Sequence, residues 1–420
     1  MKNTETTPAP ADTAMPLAGI RVVDLTSAVV GPYCTQVLAD YGAEVIKLEE
    51  KSGDVIRWIS GRSRTPGMSG KFMHMNRNKR SISLDLKQSA GRDALLKLVD
   101  TADVFLHNMR NAAVGRLGLD ADTLRARRAN LVYCGIAGFG SDGRYAGRPA
   151  YDSILQGGTA LASLLAGADG EPRYVPYVVI DRTAGLMVAH AVLAALFARE
   201  RDGRGRVIEV PMFESYAGLL LSEHLYGHSF QPPTDRLGDR RLLDANARPV
   251  RTRDGHVCIT TNTDDQVRKL FLSLGRPDLA ADARFATSLS RIEHIAEFFA
   301  VRAELLAQRG TDEIVELLLK HDVPCMPCHT LESLLADPHL GDVGLVQTDR
   351  HPTQGTIRQI RPAIRMTGFD PAVRLPAPHI GEHTATVLAE LGYAPGQIAD
   401  LFRGGAAYTA PDAPSPPAHA

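Results

Sequence analysis

The sequence predicts an α/β protein in which helices cover both faces of a parallel sheet. Short β-branched segments alternate with helical patterns through the first half of the 420 residues, and this spacing is typical of strand–helix–strand units. Charged residues, proline and glycine then become frequent over Pro232–Arg248, and hairpin and helix patterns resume after them. We therefore expect a second, smaller domain to follow a linker.

The first half opens with a buried strand over Ile20–Leu25, which is rich in β-branched residues. Pro32 suits the first turn of a helix that runs to about Tyr41, because that position needs no backbone N–H donor. Further strands are predicted over Glu44–Leu48, Ser81–Leu84, Val104–His107 and Leu131–Ile136, and further helices over Ser89–Ala102, Asp152–Leu165 and Arg182–Arg201.

The second half carries hairpin and helix patterns in a different order. Asp254-Gly255 predicts a hairpin turn, since this dipeptide favours the tight turns that join antiparallel strands. The polar, proline-rich ends 1–15 and 403–420 are expected to be disordered tails. The predicted elements are hairpins over Pro249–Thr261 and Leu345–Arg365, helices that begin at Gln266, Ile292 and Thr311, and a last helix over Thr384–Leu391.

The composition limits the partners and the compartment. The 47 basic residues nearly equal the 48 acidic ones, and a net charge of -1 argues against nucleic acid as the main partner. Five cysteines without a recognisable secretory signal fit a reduced, cytoplasmic compartment. The longest apolar run, Ala184–Phe197, is shorter than the roughly 20 residues of a membrane span and predicts a buried helix. We thus expect a cytoplasmic protein without membrane or nucleic-acid partners.

Two short motifs match known signatures only in part. The glycines of 138–143 fit G-x-G-x-x-G after a strand, but Gly147 and Pro149 prevent the helix whose N-terminus would bind a pyrophosphate. We therefore reject a nicotinamide dehydrogenase. Cys325 and Cys328 form a lone C-x-x-C without the second pair that a zinc site needs, so no metal site is predicted.

A basic run, Arg77-Asn78-Lys79-Arg80, stands directly before a predicted strand. Arg110 and Arg116 follow another strand, and we expect all these cations to meet at one edge of the sheet, where open α/β sheets bind ligands. Guanidinium groups there would suit phosphates, whereas the alternative is a solvated charged loop.

Asp181 directly precedes a predicted helix that begins at Arg182. One interpretation is an N-cap aspartate that accepts backbone hydrogen bonds. The other is a nucleophile, because a helix N-terminus would lower the pKa of the carboxyl group and keep it ionised. The sequence pattern alone leaves both open.

A set of ordered segments supplies a family resemblance. They are LAGIRVVDL at 17–25, GP at 31–32, ADYGAEVIKLE at 39–49, GD at 53–54, NKRSI at 78–82, RLG at 116–118, GRGR at 203–206, DPHL at 337–340 and GEHT at 381–384. Together they resemble the class III CoA-transferase family, which includes formyl-CoA transferase, the carnitine CoA-transferases and the α-methylacyl-CoA racemases.

The resemblance implies an interlocked-ring homodimer. Each chain would have a Rossmann-like large domain with a parallel sheet, built from both chain ends, and a smaller α+β domain between them. On that plan, residues 16–230 form the N-terminal part of the large CoA-binding domain. Residues 231–335 are the small domain with its linker, and residues 336–402 are the return segment that completes the large domain.

The resemblance also implies a CoA-transferase of EC 2.8.3 type, with acyl-CoA and a carboxylic acid as substrates and no tightly bound cofactor. Asp181 matches the catalytic aspartate of the family. Glu50 stands where formyl-CoA transferase has an arginine on CoA, with Lys51 adjacent, and Ala137 replaces a lysine. The positions that match CoA contacts are Val29, Val30, Arg77, Asn78, Lys79, Arg80, Asn108, Met109, Arg116, Phe139 and Gly140.

The chemistry expected at Asp181 is nucleophilic catalysis through an aspartyl anhydride and an aspartyl-CoA thioester. One alternative is an α-methylacyl-CoA racemase, which would need a histidine at Tyr151, directly before Asp152. Tyrosine is a poor base near neutral pH, since its pKa is about 10. The other alternative is a non-catalytic CoA-binding protein.

Overall fold

The computed structural model describes residues 15–166 and 170–411 of the chain. Residues 1–14 and 412–420, most of the two predicted tails, lie outside the described residues. The strands are β1 (Arg21–Leu25), β2 (Glu44–Glu49), β3 (Lys79–Leu84), β4 (Val104–His107), β5 (Val132–Ala137), β6 (Val207–Pro211), β7 (Val250–Arg251), β8 (His256–Ile259), β9 (Cys325–Pro327), β10 (Val346–His351), β11 (Gly355–Ile360) and β12 (Ala407–Tyr408).

The helices surround these strands in chain order. They are α1 (Val30–Asp40), α2 (Ile56–Ile59), α3 (Gly70–Asn76), α4 (Ser89–Asp100), α5 (Asn111–Arg116), α6 (Ala121–Arg127), α7 (Asp152–Gly158), α8 (Leu161–Leu164), α9 (Val179–Asp202), α10 (Met212–His224), α11 (Asp264–Ser273), α12 (Pro277–Ala280), α13 (Ser288–Glu293), α14 (Ile295–Ala307), α15 (Thr311–Lys320), α16 (Leu331–Leu335), α17 (Pro338–Asp342), α18 (Thr384–Glu390) and α19 (Pro395–Arg403).

A seven-stranded sheet in the order β12-β3-β2-β1-β4-β5-β6 organises the larger part of the molecule. Strands β1 to β6 all pair in parallel, and only β12 pairs antiparallel, with β3. The α/β class and the parallel sheet are therefore confirmed. Its central strands read as continuous apolar runs, such as the buried Val22-Val23 and Phe105-Leu106, because helices cover both faces.

The chain divides into two packed units. Within the described residues, the larger unit takes in 15–159, 175–217 and 343–411, and the smaller one takes in 160–166, 170–174 and 218–342. This division differs from the predicted domain boundaries at both ends of the smaller unit. Ala407 in the expected C-terminal tail is buried and pairs with Leu84, because the apolar residues before Pro411 still have a sheet edge to join.

The larger unit has one core on each face of its sheet. On one face α1 and α9 pack around Leu38, Val188 and Val192, and on the other face Leu95, Leu98 and Leu388 fill the space between α4, α18 and the strands. Among the described residues α9 alone has the length and apolar composition of a membrane span. Its buried side chains pack within the first of these cores, which agrees with the predicted buried helix.

The smaller unit combines a three-stranded antiparallel sheet, β7-β8-β9, with helices α11 to α15. The predicted hairpin at Asp254-Gly255 joins β7 to β8. Its core is aromatic, with the rings of Phe271, Phe285 and Phe298 within 6 Å of one another. This unit therefore has its own hydrophobic core, as a separate domain requires.

Two segments between residues 152 and 224 differ from their predicted form. The single helix expected over Asp152–Leu165 is two helices, because it ends after Gly157-Gly158 and Ala160 then adopts a left-handed φ of 69°. Strand β6 and the start of α10 were not predicted. Their segment follows Gly203, which ends α9 with a φ of 70° and turns the chain back to the sheet.

Candidate active site

A cleft of about 1050 Å³ opens at the carboxyl ends of the central parallel strands. The loops that follow β1, β2, β3 and β4 all contribute, as expected for ligand sites in open α/β sheets. Its lining holds the buried pair Lys47 and Asp54, the acidic residues Glu49, Glu50 and Asp85, the cationic Lys51, Lys87 and Arg116, and the apolar Leu86 and Met109. Glu49 pairs with Arg57, so among the described lining residues without an ion pair the three cations outnumber the two acids. The cleft therefore suits an anionic ligand with an extended, partly apolar body.

Asn108 fixes the geometry of this cleft by joining two loops. Its side-chain Oδ1 accepts a hydrogen bond from the Ser27 backbone N–H at 3.0 Å, and its Nδ2 donates to the Ser27 carbonyl at 2.8 Å. The loop after β1 is thus clamped to the loop after β4. The structure brings the predicted residues Asn108, Met109 and Arg116 together here.

A buried ion pair supports the same loop from below. The Lys47 ammonium lies 2.9 Å from Asp54 Oδ2 and 2.8 Å from the Thr26 carbonyl oxygen. Asp54 Oδ1 accepts from the Ala28 N–H at 2.9 Å. The backbone of 26–28, which leads into α1, is therefore held by fully buried charges.

The basic run lies at the opposite edge of the sheet, so the prediction that it meets Arg116 is wrong. Because β3 runs parallel to β2 and β1, residues that precede β3 lie at the amino edge, whereas Arg116 follows β4 at the carboxyl edge. Arg80 pairs there with Glu44, the first residue of β2, at 2.8 Å and with Glu390 at 2.7 Å. Sequence spacing did not distinguish residues before a strand from residues after one.

The other members of the run face into the protein. Arg77 is buried and pairs with Asp40 at 2.7 Å. Asn78 has a left-handed φ of 61°, and its side chain donates to Asp40 Oδ1 at 2.7 Å. Lys79 is fully buried beside Asp24 at 3.3 Å. These three side chains already have internal partners.

Val29 and Val30 are buried at the start of α1, so their side chains pack in the core while their backbone borders the loop after β1. A Cβ on Gly185 would lie 2.8 Å from the Val30 carbonyl oxygen. Only glycine permits this close approach of α9 to α1. The start of α1 therefore packs against the second turn of α9, one turn after Asp181.

Asp181 is the third residue of α9 rather than its N-cap, because the helix begins at Val179. The capping carboxylate belongs to Asp152, whose Oδ1 accepts from the Ile180 N–H at 2.8 Å and from the Asp181 N–H at 3.1 Å. The N-cap interpretation of Asp181 is thus wrong. Its own carboxylate has no role in capping and is partly buried.

The expectation of a lowered pKa at Asp181 is also wrong. Burial, followed by the nearby Asp152 charge, raises the pKa of Asp181 to about 7, against the lowering effects of Lys71 and Arg182. Asp152 is 29 positions away in sequence, so the residues around Asp181 gave no sign of its effect on this pKa. Near neutral pH the carboxyl group therefore exchanges readily between its protonated and ionised forms.

Gln156 holds Asp152 in place. Its Nε2 donates to Asp152 Oδ2 at 2.6 Å, and its Oε1 accepts from the Val175 N–H at 2.9 Å. Tyr151, where the racemase alternative needs a histidine, is 75% exposed. The side chains of Asp152 and Gln156 thus anchor the start of α9 and the segment before it to α7.

Phe139 and Gly140 lie in the loop after β5, also at the carboxyl edge of the sheet. The Gly140 N–H donates to Glu214 Oε1 at 2.9 Å, and a Cβ there would lie 3.1 Å from the same oxygen. The Phe139 ring packs against Tyr145 and Phe213. No helix starts between residues 141 and 150, in agreement with the rejection of a dinucleotide fingerprint.

Sequence reasoning missed Lys87 and the neighbouring Asp85 and Leu86, which line the cleft. They directly follow the predicted strand at Ser81–Leu84, and that position was the signal that could have found them.

Cys325 is buried and Cys328 exposed, so the C-x-x-C does not present two equivalent thiols. Within 15–166 and 170–411, no three His, Cys, Asp or Glu residues are grouped to hold a metal ion.

Comparisons with known proteins identify relatives of this chain. The sequence profile of CoA-transferase family III matches residues 17–384. The chain is 34% identical to the probable fatty acyl-CoA transferase Rv3272 of Mycobacterium tuberculosis, over 90% of this chain and 98% of the relative. It is also 34% identical to the succinate–glutarate CoA-transferase of Agrobacterium fabrum, over 90% and 96% of the two chains.

Solved structures give the same likeness. The crystal structure of Rv3272 in its orthorhombic form matches with a TM-score of 0.78 at 34% identity, covering 90% of this chain and 100% of that one. A CaiB/BaiF family protein from Brucella suis matches with a TM-score of 0.75 at 32% identity, with the same two coverages.

Proposed function

The chain belongs to CoA-transferase family III and is an enzyme of that class, and we propose that Asp181 is its nucleophile. In this proposal CoA passes from an acyl-CoA donor to a carboxylic acid acceptor through covalent intermediates on that side chain. One observation carries it. A partly buried carboxyl group with a pKa of about 7 lies in the first turn of a helix whose cap is a second carboxylate, and no described residue forms an ion pair with it.

We place the CoA in the cleft at the carboxyl edge. Lys51, Lys87 and Arg116 supply the positive charge that the phosphates of CoA require, and Met109 and Leu86 supply apolar contact. In this proposal Lys51 contacts CoA in place of the arginine that formyl-CoA transferase has at the position of Glu50. The buried partners of Arg77 and Lys79 support leaving that run out of the phosphate site. The backbone at Val29, Val30, Phe139 and Gly140 borders the same edge, where the pantetheine arm would pass.

The first half of the reaction forms an anhydride. An Asp181 carboxylate oxygen attacks the thioester carbonyl carbon, the C–S bond breaks, and CoA leaves as thiolate, a good leaving group because the pKa of a thiol is about 8.5. The thiolate then attacks the aspartyl carbonyl carbon. That step releases the donor acid as its carboxylate and leaves an aspartyl-CoA thioester.

The second half repeats these steps in reverse with the acceptor. Its carboxylate attacks the aspartyl-CoA thioester, which frees CoA thiolate and forms a new anhydride. The thiolate attacks the acceptor's acyl carbon, and Asp181 returns to its carboxylate form as the new acyl-CoA leaves. Atoms balance without a metal, a redox partner or a tightly bound cofactor.

Asp152 has a positioning role in this scheme. Its hydrogen bonds to the N–H groups of Ile180 and Asp181 fix the first turn of α9, and its charge raises the pKa of the nucleophile. A carboxylate with a raised pKa is a stronger nucleophile once ionised, because its basicity is higher. The same neighbour thus orients and activates Asp181.

We further propose a cytoplasmic homodimer of interlocked rings, on the strength of the family membership. Two linked rings separate only by partial unfolding, so the dimer should persist on dilution to nanomolar concentration. Mass photometry across that dilution measures it. Dissociation into folded monomers would contradict the interlocked arrangement.

The substrates proposed are acyl-CoA esters and carboxylic acids, and the names of the relatives point to fatty acids and C4–C5 dicarboxylates as the first to test. Purified protein is incubated with succinyl-CoA and a panel of such acids, and new CoA esters are identified by mass spectrometry. Transfer to at least one acid supports the proposal. Exchange of only the α-proton of a 2-methylacyl-CoA in deuterated water would identify a racemase, and CoA binding without either reaction would identify a binding protein.

A further inference from the structure

A second cavity lies wholly within the smaller unit. It holds about 460 Å³ between β8 and the helices α13 and α14. Apolar side chains form most of its wall, among them Ile292, Ile295 and Phe299. This size and lining fall in the range of small-molecule pockets.

Several polar residues also line this cavity, and one of them, Arg302, is only 5% exposed. Its guanidinium lies over the Phe299 ring at 4.6 Å, and its Nη1 is 3.5 Å from the Ile259 carbonyl oxygen. The buried Nε has no hydrogen-bond partner. Burial alone lowers the pKa of Arg302 to about 10, and no described carboxylate offsets that effect.

Other arginines of the same wall show what a satisfied cation looks like here. Arg291 is equally buried but lies 2.7 Å from Asp264 and donates to the Phe285 carbonyl at 2.8 Å. Arg241 pairs with Asp239 at 2.7 Å. Arg302 thus differs from Arg291 and Arg241 by having no anion beside it among the described residues. It differs from Arg248, which also lines the cavity without a described ion pair, by being buried, and a buried charge without a counter-ion is unfavourable.

A second unsatisfied group lies on the same wall. Thr261 Oγ1 is buried without a hydrogen-bond partner, and Thr261 lines the cavity with Arg302. Buried polar atoms in folded proteins nearly always have partners. Of the nine buried side-chain atoms without one among the described residues, these two belong to residues that line the same cavity. A carboxylate would accept from both a guanidinium and a hydroxyl.

We propose that this cavity binds a free organic acid whose carboxylate pairs with Arg302 and Thr261 and whose apolar body packs against Ile292, Ile295 and Phe299. All the described lining residues of this cavity belong to the smaller unit, whereas Asp181 belongs to the larger one. A CoA thioester of the same acid has no carboxylate at that position. It therefore should not replace the free acid in this cavity.

Isothermal titration calorimetry on the full-length protein tests the site, with hexanoate as the probe and hexan-1-ol as its uncharged match. Wild type should bind hexanoate at least tenfold more tightly than it binds hexan-1-ol. Hexanoyl-CoA should not displace hexanoate from this cavity. Arg302→Met should lose at least tenfold in hexanoate affinity, and Arg302→Lys should lose less because it keeps a charge. Thr261→Val should lose less affinity for hexanoate than Arg302→Met does. It tests the same site if the Arg302 variants do not fold.

Two controls separate this site from others. Arg276→Met removes an exposed arginine that pairs with Asp278 outside the cavity, and its hexanoate affinity should equal that of wild type. Asp181→Asn should also bind hexanoate normally, so a failure of the proposed catalytic role leaves this result intact. Loss of hexanoate binding in Asp181→Asn, with Arg302→Met unaffected, would assign the acid to the other site and overturn the proposal.

Thermal stability supplies an independent readout. Without ligand, Arg302→Met should melt at a higher temperature than wild type, because it removes an uncompensated buried charge and keeps the apolar bulk. Hexanoate should then raise the melting temperature of wild type and leave that of Arg302→Met unchanged. A lower melting temperature in ligand-free Arg302→Met would show that Arg302 has a structural partner, and would overturn the proposal.

Discussion

Asp24 and Asp181 are two carboxylates of the same unit with opposite surroundings. Asp24, on β1, is fully buried and accepts hydrogen bonds from Thr35 Oγ1 at 2.6 Å and from the Thr26 N–H at 3.0 Å, with Lys79 at 3.3 Å. Although burial acts to raise it, the Lys79 and Lys47 ammonium groups hold the pKa of Asp24 below its ordinary value. Every charge in this region has a partner.

Asp181 has the reverse arrangement. Burial raises its pKa most, and the negative charge of a second carboxylate, Asp152, raises it further. The difference teaches that buried opposite charges keep a carboxylate ionised, whereas a like charge beside a buried carboxylate raises its pKa toward neutrality. The same contrast separates Arg291 from Arg302 in the smaller unit.

The largest expected effect is on turnover in Asp181→Asn. Loss of a covalent nucleophile should reduce kcat by roughly 1,000-fold or more. Because the folded state raises the pKa of Asp181 above its unfolded value, its charge opposes folding above pH 7, and the variant should melt no lower than wild type at pH 8. Near-normal turnover would remove Asp181 from the mechanism.

Lys79→Met probes the matched region. It leaves Asp24 buried with one cation fewer, so the free energy of unfolding should fall by about 3–5 kcal/mol. Urea denaturation measures this loss. Lys320→Met, at an exposed lysine that ends α15, is the control and should change stability by less than about 0.5 kcal/mol. Equal stability of Lys79→Met and Lys320→Met would contradict the conclusion that Lys79 compensates the buried charge of Asp24.

Arg116 and Arg80 compare the two edges of the sheet. Arg116→Ala should weaken CoA binding by roughly 10- to 100-fold, since a charge-assisted contact contributes about 1.5–3 kcal/mol. Arg80→Ala should leave the affinity for CoA unchanged, because Glu44 and Glu390 are its partners at the amino edge. Calorimetric titration of CoA distinguishes them, and the opposite ranking would return the phosphate site to the basic run.

The smallest effect is the pH dependence of kcat/KM. Because the pKa of Asp181 is raised to about 7, the ionised nucleophile is lost as the pH falls below that value. The rate should therefore decline toward tenfold per pH unit between pH 6 and pH 5 and level off above pH 8. Asp152→Asn removes the like charge, so its profile should shift to lower pH. An unshifted profile would exclude Asp152 as a cause of the raised pKa.

The parallel sheet could be predicted from sequence because its strands are short apolar runs that recur between helical patterns. Strand β4 was predicted with its exact bounds, and the ends of β1 and β2 differ by one residue. The terminal strand β12 was not predicted, because two apolar residues have no periodicity. Their place is set by the free edge of β3 rather than by local preference.

Residues of the site could be located from the sequence pattern only where they directly follow a predicted strand. Arg116 was predicted at this edge because it follows a strand, whereas Asn108 was named only through the family resemblance. The raised pKa of Asp181 could not be found, because it depends on Asp152, which is distant in sequence and close only in the fold. The partners of the basic run likewise come from Asp40 and Glu390, which no spacing rule joins to it.

The most direct test of the central claim is covalent trapping at Asp181. Wild type is incubated with succinyl-CoA, quenched with hydroxylamine, digested and analysed by mass spectrometry, with Asp152→Asn and Asp181→Asn treated in parallel. Hydroxylamine converts an aspartyl anhydride or thioester to a hydroxamate, so the peptide that contains Asp181 should gain that mass in wild type and in Asp152→Asn. A hydroxamate on Asp152, or turnover without any modified aspartate, would contradict the account.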